Sequence, residues 1–295
     1  MITYTQNEIN LQVQKVCHSM QLSLHQNWRE PKLYTQPQLV GILLLKGREN
    51  KSLRRFVAWL SETKWPEWLG LREIPSYSTI YRALKRLGMT FLRRVNKEIT
   101  KVLETTKKAF DGTGINMHHR SRHYEKRAQL DYLPNGKLDI LGDIEHFIIE
   151  DWHFAMKERH DVLGAKRLIN RTKLGTEVEL WADKAYDCEE LHELAHKKGH
   201  ILLSPTRKST RKRPKGRFRK RVNSLIEAKE KYERPKIETI FSILKRVYGE
   251  NIRARLSHMK KREMAWRIMA MNMERIIKIL LFLFQSQTIR NRAWE

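Results

Sequence analysis

From about residue 105 the sequence replaces the three- and four-residue apolar steps of its first hundred residues with short strand-like runs alternating with helical ones. The runs are KKAFDGTGI, GKLDILGDIEHF, FIIEDWHFAM, a helix from about Asp161, TEVELWAD, a helix from about Cys188, and HILLSPT. Adjacent strands followed by strand and helix alternation predict an α/β layer structure built on a mixed β-sheet with flanking helices. With 40% hydrophobic residues in 295, the chain has the apolar surface to bury a real core.

The first hundred residues read as an all-helical region. Gln38 to Lys46 and Ser52 to Leu60 each carry apolar positions at helical spacing. After Pro75-Ser76-Tyr77-Ser78, the segment TIYRALKRLG places Ile80, Leu84 and Leu87 on one face, with Ser78 as a cap and Gly88 as a stop. Arg82, Lys85 and Arg86 point elsewhere, giving a helix of the size and charge to enter a DNA major groove; a solvated face on a core helix is the plainer alternative. Boundaries follow at 1–104 for a helical DNA-binding and assembly domain, 105–285 for the α/β domain, and 286–295 for a tail.

Charge narrows the partner. Lys and Arg number 59 against 33 Asp and Glu, a net +26, and such a field favours a polyanion, for a soluble protein usually nucleic acid. The sharpest concentration is RKSTRKRPKGRFRKR, in which Arg207, Lys208, Arg211, Lys212, Arg213, Lys215, Arg217, Arg219, Lys220 and Arg221 are basic and no residue is acidic. Ten like charges cannot be buried or neutralise one another, so the run reads as an exposed loop or arm for phosphate backbone. The apolar run Ile279 to Phe284 is far shorter than the ~20 residues a bilayer needs, and the polar first residues show no signal peptide. Two separated cysteines, Cys17 and Cys188, exclude a disulfide framework and fit a reducing cytoplasm, where such a protein would be associated with the nucleoid.

Only eight aspartates occur, and two end strand-like runs. Asp111 follows KKAF and precedes Gly112-Thr113-Gly114; Asp183 follows EVELWA. Side chains at carboxyl ends of strands face the crevice where α/β sheets bind ligands. Two carboxylates there repel one another unless a cation lies between them, and a hard divalent ion is the natural one. A third acid can come from ERPKIETIFSILKR, where Ile237, Ile240, Phe241 and Leu244 form an apolar face with Glu238 at its edge. Arg234 and Lys245 lie along the same side.

In this order, FDGTGI, WADKAYD and YERPKIETIFSILK resemble the DDE transposases of prokaryotic insertion sequences, in the groups whose last motif reads Tyr, Arg, Glu, Lys. The resemblance covers about residues 105 to 285, includes His160-Asp161, and is most specific at Ala182 to Asp187. It implies an RNase H-like fold and DNA cleavage and strand transfer with two Mg²⁺ or Mn²⁺ ions. Asp111 would bridge both ions, Asp183 and Glu238 would hold one each, and Arg234 and Lys245 would hold the flanking phosphate. Tyr232 departs from the family pattern, with one residue rather than two before Arg234. The implied partners are element-end and target DNA, with a homodimer on paired ends. The alternatives are a DNA-binding regulator using only the helical segment and basic arm, or an RNase H-like nuclease or domesticated transposase without transfer activity.

Other motifs carry less. His192-Glu193-Leu194-Ala195-His196 is a literal HExxH, but chance gives about 4% for such a string here, and the next histidine, His200, is not at the metzincin spacing. It reads as a solvent-facing helix end. His118, His119 and His123 sit in a basic stretch and suit phosphate or solvent. The glycines of DGTG lack the spacing of a nucleotide cradle, so no nucleotide cofactor is expected. Met264, Ile268 and Met271 read as core or helix interface.

Overall fold

A computed structural model describes residues 6–25, 33–103, 105–117, 123, 127, 129, 136–175, 177–207, 216–229 and 232–292. In chain order the first elements are α1 (Gln6–Ser19), α2 (Gln36–Glu49), α3 (Leu53–Ser61), the single turn α4 (Trp65–Trp68), α5 (Tyr77–Arg86) and α6 (Met89–Thr100). Next come β1 (Lys107–Ile115), β2 (Gly136–Asp143), β3 (Ile148–Ala155), α7 (Asp161–Arg171) and β4 (Glu179–Trp181). A 3₁₀ turn (Lys184–Tyr186), α8 (Glu189–Lys197), β5 (Ile201–Leu203), α9 (Arg219–Glu227), α10 (Lys236–Tyr248) and α11 (Ser257–Arg292) complete the chain.

The chain separates into two compact units. One contains residues 1–102, 247–249 and 253–295; the other contains 103–246 and 250–252. The sequence division at 105–285 therefore differs from the structure, which groups the C-terminal helix with the N-terminal helices. The cause is the apolar surface of α11: Met264, Ile268 and Met271 are buried, and the helix packs on α2 and α6. Gly47 lets α2 approach closely, since a Cβ there would fall 2.5 Å from the Trp266 carbonyl oxygen. Asn96 and Asn272, both fully buried, satisfy each other through a 2.8 Å hydrogen bond. Helix α5 starts two residues earlier than expected: Ser76, not Ser78, accepts from the Thr79 amide at its N-terminus. Gly88 does not stop α5; in extended conformation it precedes α6.

In the second unit five strands form one mixed sheet in the order β3-β2-β1-β4-β5. The pairs β1–β2 and β2–β3 are antiparallel, and β1–β4 and β4–β5 are parallel. A short turn over residues 144–147 joins β2 to β3, whereas the parallel pairs need the crossovers supplied by α7 and α8. This is the expected RNase H-like sheet flanked by helices. Phe110, Leu141, Leu168, Ile169, Leu180 and Leu191 belong to the core that these elements share. Ile237 and Ile240 of α10 approach Gly142, where a Cβ would stand 2.7 Å from the Ile240 Cδ1. That close approach fixes the helix carrying Glu238 against β2.

Candidate active site

Asp111 lies within β1, where its register partner on β2 is Ile140. Its Oδ1 accepts the Gly112 amide at 2.8 Å, leaving Oδ2 free to point outward to Arg234 Nη2, also at 2.8 Å. Asp183 lies two residues beyond β4 and caps the 3₁₀ turn, its Oδ1 accepting the Lys184 amide at 2.7 Å. Glu238 is in the first turn of α10, and Arg234 Nη1 donates to its Oε1 at 2.5 Å. One guanidinium thus bridges Asp111 and Glu238, residues from opposite ends of this unit's sequence.

The electrostatics join the third acid to the pair. Burial opposes the charge of Arg234, yet the carboxylates of Asp111, Asp183 and Glu238 together hold its pKa above the ordinary value. Burial pushes Asp111 above the usual carboxylate range; the Gly112 amide and Arg234 pull it back, and the charges of Asp183 and Asp161 push it further up. Tyr232 donates to the Ala182 carbonyl at 3.0 Å and packs edge-on against Trp181, tying the segment before α10 to the end of β4. Its hydroxyl is pushed up to about 12, by burial first and then by Asp183. The one-residue departure from the family spacing therefore does not remove Tyr232 from the site.

Two further acids stand beside this centre: Asp139, which sequence reasoning passed over, and Asp161, which entered it only through the His160-Asp161 resemblance. Asp139, on β2 opposite Gly112, is 4% exposed and has its Oδ2 3.3 Å from His153 Nδ1. Asp161 at the start of α7 pairs with Lys137. Both approach through glycines: a Cβ at Gly164 would lie 2.4 Å from the Asp139 carboxyl carbon, and one at Gly112 3.3 Å from Asp161 Oδ1. A buried acid in strand alternation was the available signal at Asp139, since GKLDIL otherwise reads as a two-sided buried strand.

Lys245 is placed differently from its expected phosphate role. Its Nζ stands 3.7 Å from Glu250 Oε1, two turns along α10 from Glu238. The basic run also divides. Lys208, Arg211, Lys212, Arg213 and Lys215 lie outside the described residues. At its edges the run is not a free loop: Arg219, Lys220 and Arg221 begin α9, and both Arg207 and Arg219 are anchored. Buried Asp187 accepts Arg219 Nε at 2.6 Å and the Arg207 amide at 2.9 Å. The expectation that these cations lack internal partners fails for those two: Asp187 supplies a counter-charge to Arg219, and the Arg207 guanidinium donates to the Lys184 and Ala185 carbonyls. Arg217 lies over the Phe218 ring, with 5.8 Å to its centroid. Arg82, Lys85 and Arg86 are exposed on α5 in the helical unit.

The HExxH histidines diverge. His192 is buried, not solvent-facing, with Nε2 3.9 Å from Asp187 Oδ1; His196 packs its ring against Phe218, with centroids 4.9 Å apart. His118 and His119 lie outside the described residues.

The acidic centre offers carboxylate oxygens only, a donor set that suits a hard divalent cation. Desolvated Asp111 close to the Asp183 charge needs a positive partner, and Arg234 meets part of that need. Among the described residues, no three acidic, histidine or cysteine side chains already stand together as a metal cage. The arrangement is accordingly an acidic pocket held by a guanidinium, and its chemistry fits a divalent metal.

Fold and site define an RNase H-like domain with an acidic centre drawn from the middle of β1, the segment after β4 and the first turn of α10. The chain belongs to the transposase DDE domain family, whose profile matches residues 103–273. This is a family of DNA-cleaving and DNA-transferring enzymes that generally use divalent metal ions. No curated protein matches the chain. Among solved structures, it is similar to the piggyBac transposase in a synaptic complex with hairpin DNA, at 8% identity over 91% of this chain and 72% of the other, with a TM-score of 0.41. It is also similar to a pre-cleavage Mos1 transpososome, at 9% identity over 94% and 97% of the two chains, with a TM-score of 0.28. No helix among the described residues is long and apolar enough to cross a membrane.

Proposed function

We propose that this protein is the DNA transposase of an insertion sequence, cleaving DNA at the element ends and joining the freed strands to target DNA. The observation that carries the reading is the single guanidinium of Arg234, bonded to Asp111 and Glu238 and lying in the field of Asp183. Two acids distant in sequence share one cation, with a third in its field, which a purely DNA-binding protein has no need to arrange. Asp111, Asp183 and Glu238 would hold two divalent cations, Mg²⁺ or Mn²⁺, which when bound lower the pKa of water or activate a 3′-hydroxyl and steady the leaving oxygen.

The protein's own side chains have separable tasks. Arg234 keeps Asp111 and Glu238 in place without DNA and, on exchanging those partners, is a charge-assisted donor to the flanking phosphate. Tyr232 holds the Asp183 segment beside α10. Lys245 needs only to leave Glu250, a partly exposed partner, to reach a phosphate. Arg217, Lys220, Arg221 and the cations from Lys208 to Lys215 extend the phosphate-binding surface, with Arg207 and Arg219 as its anchors. Exposed Arg82, Lys85 and Arg86 suit DNA contact by the helical unit. A homodimer on paired ends completes the assembly.

The test is to incubate the full chain with DNA carrying its element's ends, with Mg²⁺ and with EDTA, and to map the 3′ ends. Metal-dependent cleavage that Asp183→Ala abolishes, with duplex binding kept, supports this reading. Tight binding without any cleavage in Mg²⁺ or Mn²⁺ favours the regulator instead.

A further inference from the structure

Within the helical unit lies a cavity of about 600 Å³, distinct from the acidic centre and formed by residues of α2, α3, α5, α11 and the segment before α11. Its lining is predominantly apolar: Leu84, Leu256, Met259 and Trp266 contribute carbon surface. Tyr77, Tyr81 and Leu256 are substantially exposed, at 45%, 37% and 52%, so flat aromatic and aliphatic surface faces solvent where a core residue would be covered.

The polar part of the lining is strongly one-signed. Lys46, Lys51, Arg54, Arg253 and Arg255 contribute cations, and Glu263 is the one acid among the lining residues. That acid is already engaged, accepting from the amides of Arg253 and Ala254 and from Arg267. Arg54 lies over the Tyr77 ring at 5.1 Å, and Lys51 pairs with Glu49. The Lys46 ammonium and the Arg255 guanidinium, by contrast, make no hydrogen bond or ion pair with a described residue. Burial lowers the Lys46 pKa to about 8; Glu263 pulls it back up, while the charges of Arg267, Arg253 and Lys51 push it further down, so the ammonium is desolvated among a surplus of cations. An anion is the missing partner, while the tyrosines and carbon floor ask for a flat apolar ring.

A stacked, paired base in duplex DNA presents only its edges and cannot enter such a cavity, whereas an unpaired nucleotide offers both an aromatic face and a phosphate. We propose that this cavity binds one unpaired nucleotide of a DNA strand, with its base against Tyr77, Tyr81 and the apolar floor and its phosphate on Lys46 and Arg255. The assignment rests on DNA being the substrate of this chain.

The experiment uses the full-length protein in EDTA with two short duplexes, one fully paired and one carrying a single unpaired 2-aminopurine. Base stacking contributes about 1–3 kcal/mol per base, so the parent should prefer the unpaired probe by about tenfold and quench its fluorescence. Tyr81→Ala and Arg255→Ala change exposed side chains and should remove most of the preference and the quenching while keeping affinity for the paired duplex. Lys46→Met should do the same and Lys46→Arg should restore it, with melting temperature monitored to show that both variants fold. Equal affinity of the parent for the two probes, or a preference that survives in Tyr81→Ala, overturns the proposal. If the parent nevertheless nicks element ends in Mg²⁺, the transposase reading stands and the cavity assignment alone is lost; failure to bind either duplex removes both.

Discussion

Replacing Asp187 with alanine should destabilise the sheet-bearing unit more than replacing any of the three proposed metal-binding acids. Its side chain has no solvent exposure, receives two donors from Arg219 and one from the Arg207 amide, and lies directly after the 3₁₀ turn that Asp183 caps. Removing one partner of a buried ion pair costs about 3–5 kcal/mol, because the other charge is left unmatched. Arg219 retains 21% side-chain exposure and can partly regain water, which puts Asp187→Ala near the lower end, about 3 kcal/mol. For a domain of this size about 1 kcal/mol lowers the melting temperature by about 2–4 °C, so thermal unfolding should occur about 6–12 °C lower. Asp187→Asn keeps an acceptor and the shape, and should lose about half as much. The double variant Asp187→Leu/Arg219→Met, which removes both charges, should recover most of the loss. Melting of Asp187→Ala within about 1 °C of the parent would refute the claim that this carboxylate anchors both edges of the basic run.

Further outcomes follow from the same geometry. Asp111→Asn should abolish cleavage without lowering thermal stability at pH 7. Its folded pKa lies above the unfolded one, so the parent's stability falls as pH rises from the unfolded towards the folded value, and the variant's advantage should shrink as pH drops through that window. Arg234→Gln should reduce cleavage and, by withdrawing the cation that Asp111 and Glu238 share in the field of Asp183, increase mutual repulsion; melting should rise when millimolar Mg²⁺ is added to this variant, more than it does for the parent. Neutralising Lys208, Arg211, Lys212, Arg213 and Lys215 together should flatten the slope of log affinity against log salt by up to about 4.5, at about 0.9 per phosphate contact, for random and element DNA alike. An unchanged slope in filter-binding titrations would remove the arm from the interface. Gly47→Ala should lower the melting temperature of the helical unit, since its Cβ would meet the Trp266 carbonyl at 2.5 Å, contact with backbone that cannot rotate away.

Local signals in the chain were enough for the order of the strands, because apolar period is written within a few neighbouring residues; they misplaced Asp111, which stands in the middle of β1 rather than at its end. They were enough, too, for Asp111, Asp183 and Glu238 as candidates, since the residues around each form a recognisable motif. The caps were legible only to within two residues: Ser76 and Ser78 are equivalent in type, and which one precedes the first helical residue depends on where packing of Ile80 and Ala83 starts the helix. The partnership of Arg234 with Asp111 was beyond the sequence, for 123 positions separate them and only the placing of α10 on β2 brings them within 2.8 Å. The same holds for Asp187, whose position in a motif said nothing of the two arginines it anchors. Helix α11 shows the difference most plainly: its Met and Ile stripe announced a buried face, but an apolar stripe is non-directional, and the close fit of α2 at Gly47 decided which unit would bury it.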